Sequence, residues 1–423
     1  MRALVIGSGA REHALCWALR RSPQLTALYC APGNGGTAQI AENVPLDPMN
    51  FAACAAWAAS NHIDFTIIGP DDPLGAGIVD VFIERGLLVF GPTRVAARIE
   101  ASKAWAKEIM AAAGVPTARH VRFTGYAAAE HYLTAHAATL SQAPIVVKAD
   151  GLALGKGVVI AHSLTEARTA LADMLQHRSL GEAGSVVILE DYLTGREVSV
   201  FALSDGERVI PLSPACDYKR ALDGNEGPNT GGMGAYSPPE WVTPAMLGEI
   251  TERVLMPTIT RMGERGAKFR GLLYAGLMLT DDGFKVIEFN ARFGDPETQV
   301  VLPRLRSDLL ELLLASAHGD LSHTATPAWA DEVACGVVAV SGGYPGAYEK
   351  GKPITGLDAL PDDLLVFHGG TRHEPDGSLV TAGGRVLTLV GLGGTLRAAR
   401  ERVYAHIDQV QFEGVRWRGD IGA

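Results

Sequence analysis

Residues 144–161 read PIVVKADGLALGKGVVIA: two short apolar runs flank a glycine-rich loop, with Lys148 on the first run and Lys156 in the loop. Glycine-rich loops that carry lysine commonly hold phosphate, and their spacing decides which fold they belong to. A Walker A loop needs four residues between its first glycine and the Gly-Lys pair, then a hydroxyl residue for the metal. Here Gly151 and Gly155 are separated by three residues and Gly157 stands at the hydroxyl position. The stretch is therefore no P-loop, and the catalytic and metal-binding motifs of a protein kinase are absent downstream. What remains is a hairpin between two strands that folds over a triphosphate, with Lys156 and the backbone N–H groups around Gly151, Gly155 and Gly157 facing the charge. Lys148 is then held on the incoming strand.

A chain of 423 residues is too long for one core and predicts about three domains. No apolar stretch approaches the ~18 residues of a membrane span, and MRALVIGSGAREHA turns polar too soon for a signal peptide. Five cysteines, odd in number and unpaired in spacing, argue against a disulfide framework or thiolate metal site and predict a reducing, cytoplasmic setting. The net charge of −10 gives no sign of a nucleic-acid partner, and leaves anionic small molecules open because local charge decides their binding.

Up to about residue 101, ALVIGSG, FTIIGP and LLVFGPT are apolar runs ending in Gly or Pro, separated by helical stretches such as EHALCWALRR. That alternation predicts a parallel sheet with ligand loops at its strand ends. VIGSGARE resembles a dinucleotide fingerprint, but Glu12 replaces its third glycine and no acidic residue ends the next strand, so a nicotinamide site is disfavoured. The loop still offers N–H groups at a helix start, which favours an anion.

Ser102 and Gly114 bracket a helix as cap and terminator. Lys103 falls in its first turn, where the dipole disfavours a cation; an adjacent anion would remove that cost, and a solvated surface lysine is the other reading. Short strands and hairpins are expected over 144–210, a long functional loop over 211–240, a helix near 244–264, a strand pair LLYAGLMLT and FKVIEFNAR around DDG, and a helix over 298–318. Past residue 328 a small α+β module is expected, with strands in ACGVVAVSG, LLVFHGG and RVLTLVGLG.

A nucleotide also needs a hinge for the base, a carboxylate for the ribose and a hard cation for the phosphates. LEDYL at 189–193 suits the hinge, and Glu197 suits the ribose. In KVIEFNARFGDPE, strand alternation places Glu288, Asn290 and Arg292 on one face about 6.6 Å apart, with Ile287 and Phe289 pointing into the core. Glu288 and Asn290 can converge on one cation while Arg292 reaches a transferring phosphoryl group; an ordinary strand with a polar outer face is the alternative.

The residues IGSGAREHAL, PGNGGTA, GPDDPL, SKAWAKE, VVKADGLALGKGV, PNTGGMGAYSP, YAGLM and VIEFNARFGDPETQ together resemble the ATP-grasp superfamily, and within it the glycinamide ribonucleotide synthetases, over essentially the whole chain. The resemblance implies an ATP-grasp fold: a Rossmann-like domain over 1–101, an ATP-grasp domain over 102–327 with a lid at about 120–192, and the α+β domain over 328–423. It implies an ATP-dependent ligase of purine biosynthesis that joins glycine to 5-phosphoribosylamine, with Mg²⁺ or Mn²⁺, acting as a cytoplasmic monomer without nucleic-acid or membrane partners. Glu288 and Asn290 match the family's metal ligands, and Lys103 and Lys148 its phosphate lysines. Glu190, Tyr192, Leu193 and Glu197 fall at its adenine and ribose contacts. Arg292, Lys148 and Asp217 are the expected catalytic groups. Gly9, Asn34 and Asp71 are expected on the ribose-phosphate side. Asp217, Lys219, Arg220, Asn229, Gly232, Met233, Arg292, Gly294 and Asp295 are expected to bind substrate, with the polar triplet as a solvated turn being the alternative.

Departures from the family pattern are few. Ala10 stands where Gly is common, Asp71 where Glu is usual, and Cys216 and Tyr218 where Gln and His are familiar. Gly276 occupies the position at which many superfamily members place a further metal-binding Glu. Two rival readings are a different ATP-grasp ligase acting on a biotin or aminoimidazole substrate, which should lack PNTGGMGAYSP and GDPETQ, and a non-catalytic nucleotide-binding protein, which should have lost Lys148, Glu288 or Arg292.

Overall fold

The computed structural model describes residues 1–137, 143–151 and 157–423. Gly155 and Lys156, expected in the phosphate hairpin, lie outside the described residues. The N-terminal sheet has five strands in the order Glu42–Asn43, Ala27–Pro32, Arg2–Gly7, Phe65–Ile68 and Val89–Phe90, all parallel. Its central strand is an unbroken buried run from Ala3 to Ile6, because helices cover both faces of such a sheet and no polar alternation is needed. The loops at the carboxyl ends of its strands face the rest of the chain.

The middle of the chain builds two antiparallel four-stranded sheets. One runs His120–Phe123, Val187–Asp191, Ile145–Ala149, Val158–Ala161; the other runs Val209–Pro211, Arg196–Ser204, Gly271–Thr280, Gly283–Asn290. The expected hairpin is present: Ile145–Ala149 pairs antiparallel with Val158–Ala161, and Ala149 N–H donates to the Gly157 carbonyl at 2.7 Å to close its base. The helix Lys103–Ala113 begins at Ser102, whose hydroxyl accepts the Trp105 N–H, and ends at Gly114 with φ +66°. Both cap residues had been legible from sequence.

Two expectations are corrected. The 211–240 segment is not a loop: it contains the strands Cys216–Asp217, Arg220–Leu222, Glu226–Asn229 and Gly234–Ser237. Cys216–Asp217 and Gly234–Ser237 join the C-terminal sheet, ordered Cys216–Asp217, Gly234–Ser237, Val333–Val340, Arg385–Gly393, Leu365–His368. Strands of two to four residues are too short to show a period of two, and glycine and proline mask them further. The 298–318 helix is broken. Thr298–Val301 and a short 3-10 turn are followed by an extended Leu305, and a new helix, Leu309–His318, starts from the side-chain cap of Asp308. All five cysteines are free and buried, and among the described residues no helix is long and apolar enough to cross a membrane.

Candidate functional site

The strand Gly283–Asn290 organises the centre. Its pairing with Gly271–Thr280 sets Gly276 opposite Glu288 but Leu277 opposite Val286, so Ile287 is the extra residue of a β-bulge. Val286 and Phe289 are buried while Ile287 is only partly so, which corrects the expected inward Ile287. The bulge turns the Ile287 carbonyl out of the ladder, where it accepts a hydrogen bond from Lys148 Nζ at 3.1 Å. Glu288 and Asn290 remain on one side. Arg292, just past the strand end, donates from Nη2 to Asn290 Oδ1 at 3.2 Å.

Four cations act on Glu288. Burial opposes its ionisation, but Lys219, Lys148, Lys103 and Arg292 outweigh that and hold its carboxyl below the usual range. Lys103 donates to the Gly151 carbonyl at 3.3 Å, so it lies under the base of the hairpin. Burial lowers its affinity for a proton, with Lys148 adding to the effect and Glu288 opposing it. Asp150, which sequence reasoning passed over, ties this lysine's helix to the hairpin: its carboxylate accepts the Ala104 N–H at 2.6 Å and the Ser102 hydroxyl at 3.1 Å.

Behind this cluster lies a second one. Glu190 is buried between Lys148 and Lys107, at 3.0 Å from each ammonium. Lys107 also donates to the Thr117 hydroxyl at 2.7 Å, and that hydroxyl donates to the Val286 carbonyl at 2.6 Å. Beyond Asp191 the chain leaves the sheet, exposing Tyr192 and placing Leu193 in irregular backbone before the next strand. Glu197, on that strand, pairs with Lys219 at 3.0 Å.

Arg292 is held from the other side by Glu100, at 3.1 Å from Nη2, while the second Glu100 oxygen accepts the Ala291 N–H at 2.8 Å. Burial would lower the guanidinium's hold on its proton, but Glu100 and Asp71 raise it well above the ordinary value. Asp71, at the start of the helix Asp71–Ala76, is opposed by burial and pulled down by Arg292 and Arg11. The N-terminal domain thus meets the middle domain through charge at Arg292.

The 217–233 segment divides. Asp217 has a nearly buried side chain 3.9 Å from Lys219; burial pushes its carboxyl up to about 7, Lys219 pulling the other way. Arg220 points to its own hairpin, donating to the Gly227 carbonyl at 2.8 Å, and sits opposite Asn229 in that hairpin; neither side chain contacts the cluster among the described residues. Met233 is 2 % exposed in the C-terminal core, its N–H given to Tyr218 and its carbonyl to Val338, so the expected substrate contact is corrected to a core role. The N–H groups of Thr230, Gly231 and Gly232 are likewise spent, on the Lys219 carbonyl, the Tyr344 hydroxyl and the Thr230 hydroxyl. They are not the free donors the glycine pattern suggested. Gly232, at φ +113°, is required for another reason: a Cβ there would lie 2.3 Å from Pro296 Cδ.

Asp295 is bound by a residue from the C-terminal domain. Arg385 reaches its carboxylate at 2.9 Å and its carbonyl at 2.8 Å, and also the Gly231 carbonyl at 2.6 Å. Next to it, Gly294 is packed against Glu297. Buried Glu297 accepts the Tyr274 hydroxyl at 2.6 Å. Glu100, Lys107, Asp150, Glu297 and Arg385 are the charged groups that sequence reasoning missed.

At the first loop, Glu12 explains its own departure from the dinucleotide pattern. Its carboxylate accepts the Gly9 N–H at 2.6 Å and pairs with Arg11, and the side chain packs so closely on the neighbouring glycines that a Cβ on Gly7 or Gly69 would lie 2.5 or 2.1 Å from it. The anion expected at this N–H is thus supplied by the chain itself. Asn34 is also saturated, donating to the Ser8 and His368 carbonyls and accepting from Gly36 and Thr37. It pins the first domain to the last.

Comparison with known proteins agrees with this arrangement. The models for the N domain, the ATP-grasp (A) domain and the C domain of phosphoribosylglycinamide synthetase match residues 1–100, 101–298 and 334–423. A phosphoribosylamine–glycine ligase of Streptomyces coelicolor is 49 % identical over 427 residues, covering 100 % of this chain and 99 % of its own; one from Nostoc is 47 % identical over 426 residues, with the same coverage. The crystal structure of the Thermotoga maritima phosphoribosylamine–glycine ligase superposes with a TM-score of 0.85 at 34 % identity and full coverage of both chains. The biotin carboxylase domain of the Hydrogenobacter thermophilus 2-oxoglutarate carboxylase superposes at 0.74 with 16 % identity, covering 98 % of this chain and 91 % of its own, a likeness of fold alone. With all three domains matched in order along the chain, the protein belongs to the phosphoribosylglycinamide synthetase family and has the ATP-grasp fold, with a Rossmann-like domain before it and an α+β domain after it.

Proposed function

We propose that the protein joins glycine to 5-phosphoribosylamine at the expense of ATP, through glycyl phosphate, giving glycinamide ribonucleotide, ADP and phosphate. The observation that carries the reading is the placing of Lys148 and Arg292 against the strand that bears Glu288 and Asn290, at 3.1 Å from the Ile287 carbonyl and 3.2 Å from Asn290 Oδ1, with Lys103 and Lys219 also acting on the Glu288 carboxyl. A carboxylate reacts poorly with an amine, so a glycine carboxylate oxygen first takes the γ-phosphoryl group of ATP, and ADP leaves. Two anions must approach for that step, and charge neutralisation with in-line positioning carries it. Lys103 and Lys148 hold the nucleotide phosphates, Arg292 balances charge on the transferring phosphoryl, and Tyr192, Leu193 and Glu197 border the base and ribose. The phosphoribosylamine nitrogen then attacks the acyl carbon, phosphate leaves, and the nitrogen gives up a proton. Asp217, buried beside Lys219, faces the glycine ammonium.

A divalent metal fits this site. Glu288 and Asn290 offer one carboxylate and one amide oxygen, and no group of three or more His, Cys, Asp or Glu side chains able to hold a metal occurs among the described residues. Mg²⁺ suits such a partial shell because it keeps waters and phosphate oxygens and needs only one or two protein ligands; Mn²⁺ shares that preference for oxygen. Bound there, the ion would offset polyphosphate charge.

The reading predicts ADP release that requires glycine and phosphoribosylamine together. ADP release independent of glycine, or supported by bicarbonate in its place, would refute it.

A further inference from the structure

Lys148 has a conflict of interest. Its ammonium is committed to Glu190 at 3.0 Å and to the Ile287 carbonyl at 3.1 Å, yet the proposed function requires it to meet a nucleotide phosphate. If Lys148 were its one counter-charge, moving that lysine away would leave Glu190, 3 % exposed, as an unpaired buried carboxylate, which is strongly unfavourable. The structure supplies a second cation for that moment. Lys107 lies 3.0 Å from the other Glu190 oxygen and is fixed by Thr117, which is itself bound to the Val286 carbonyl. It projects from the helix that carries Lys103, four residues on, so both lysines share one face.

We propose that Lys107 is a positioning residue that keeps Glu190 neutralised while Lys148 turns from it to the nucleotide phosphate. Glu190 thereby acts as a rest station for Lys148, and Lys107 sets how tightly that station holds. The ring Lys107–Glu190–Lys148–Ile287 also joins the two four-stranded sheets: Glu190 lies on Val187–Asp191 and Ile287 on Gly283–Asn290. The burial that lowers the proton affinity of Lys107, to a pKa of about 8, is tolerable because Glu190 opposes it.

This inference rests on the proposed placing of Lys148 against phosphate, and the experiment separates the two. ADP affinity in the presence of Mg²⁺ is measured by calorimetry for the full chain and for Lys107→Met, Glu190→Gln, the double variant and Lys148→Met. Lys107→Met should weaken ADP about tenfold, because Glu190 then keeps Lys148 for itself, a loss of about 1.4 kcal/mol. In the Glu190→Gln background the same substitution should change affinity by less than about twofold, since no carboxylate remains to compete. A structural role for Lys107 would instead cost as much in both backgrounds, and that result overturns the inference. So does a Lys107→Met protein that binds ADP like the native one while Lys148→Met binds it poorly. An unchanged Lys148→Met would instead refute the placing of Lys148 itself. Should Lys107→Met fail to fold, the double variant, which removes a buried pair together, still gives the comparison with Glu190→Gln alone.

Discussion

Glu100 offers the sharpest test of how the proposed phosphoryl-balancing arginine is held. Its two oxygens serve different masters: one pairs with Arg292 Nη2 at 3.1 Å, the other accepts the Ala291 N–H at 2.8 Å. Glu100→Gln preserves volume but leaves one acceptor oxygen for two donors, so an NH₂ group must face either the guanidinium or the backbone N–H. A buried donor left unpaired costs ~1–3 kcal/mol, and breaking a buried ion pair costs ~3–5 kcal/mol. Arg292 retains Asp71 as a second carboxylate neighbour, so the lower end, ~3 kcal/mol, is the better figure. Arg292 escapes much of that cost by moving, and a misplacement of about 1 Å in such a group lowers a rate roughly hundredfold. The assay is kcat for ADP release at saturating glycine and phosphoribosylamine, with Arg292→Ala and the double variant alongside. Glu100→Gln should lose about two orders of magnitude in kcat while KM for ATP changes little, and the double variant should be no slower than Arg292→Ala alone. A Glu100→Gln enzyme within about threefold of native, or losses that multiply in the double variant, would show that Glu100 does not act through Arg292.

Two further outcomes follow from the same geometry. With its carboxyl pushed up to about 7 by burial, Asp217 is ionised only as the pH rises through that value, so KM for glycine should fall between about pH 6 and 8 and Asp217→Asn should flatten the profile; a native profile retained in that variant would refute the ammonium contact. The sign for stability is the reverse: a folded pKa above the unfolded 3.8 means that the contribution of Asp217 is fully present below about pH 4 and is lost as pH rises through about 7. Gly69→Ala should destabilise the N-terminal domain by about 1–3 kcal/mol, because the new Cβ would lie 2.1 Å from Glu12 Oε1 and expel that carboxylate from the Gly9 N–H; an unaltered thermal unfolding profile would show that Glu12 can yield without cost.

What sequence reasoning recovered, and what it did not, sorts by the range of the interaction that fixes each residue. Ser102 and Gly114 were legible because a helix cap is closed within three or four residues, and Glu288 and Asn290 because strand alternation is closed within two. The bulge at Ile287 defeated the same alternation one residue earlier: nothing in KVIEFN marks it, since the extra residue is accommodated by the partner strand's register. Its consequence is chemical, because the carbonyl it frees is the one that Lys148 uses. Lys107 did carry a local signal, an i, i+4 relation to Lys103 in SKAWAKE, and could have been nominated with it. Glu100 and Arg385 carried none. Their partners lie 191 and 90 residues away, and a lone Glu before a helix cap or an Arg opening a strand looks like ordinary surface charge. Met233 failed in the opposite direction: a glycine-rich motif invited a ligand, whereas the glycines around it serve close packing of Gly232 on Pro296 and the methionine serves the core. The residues that touch ligand in the proposed reaction are therefore those a short motif can specify, while the groups that set their charge and aim come from elsewhere in the fold. Variation among proteins with this site should accordingly change rate or affinity through Glu100, Lys107 and Arg385 while leaving the motifs themselves intact.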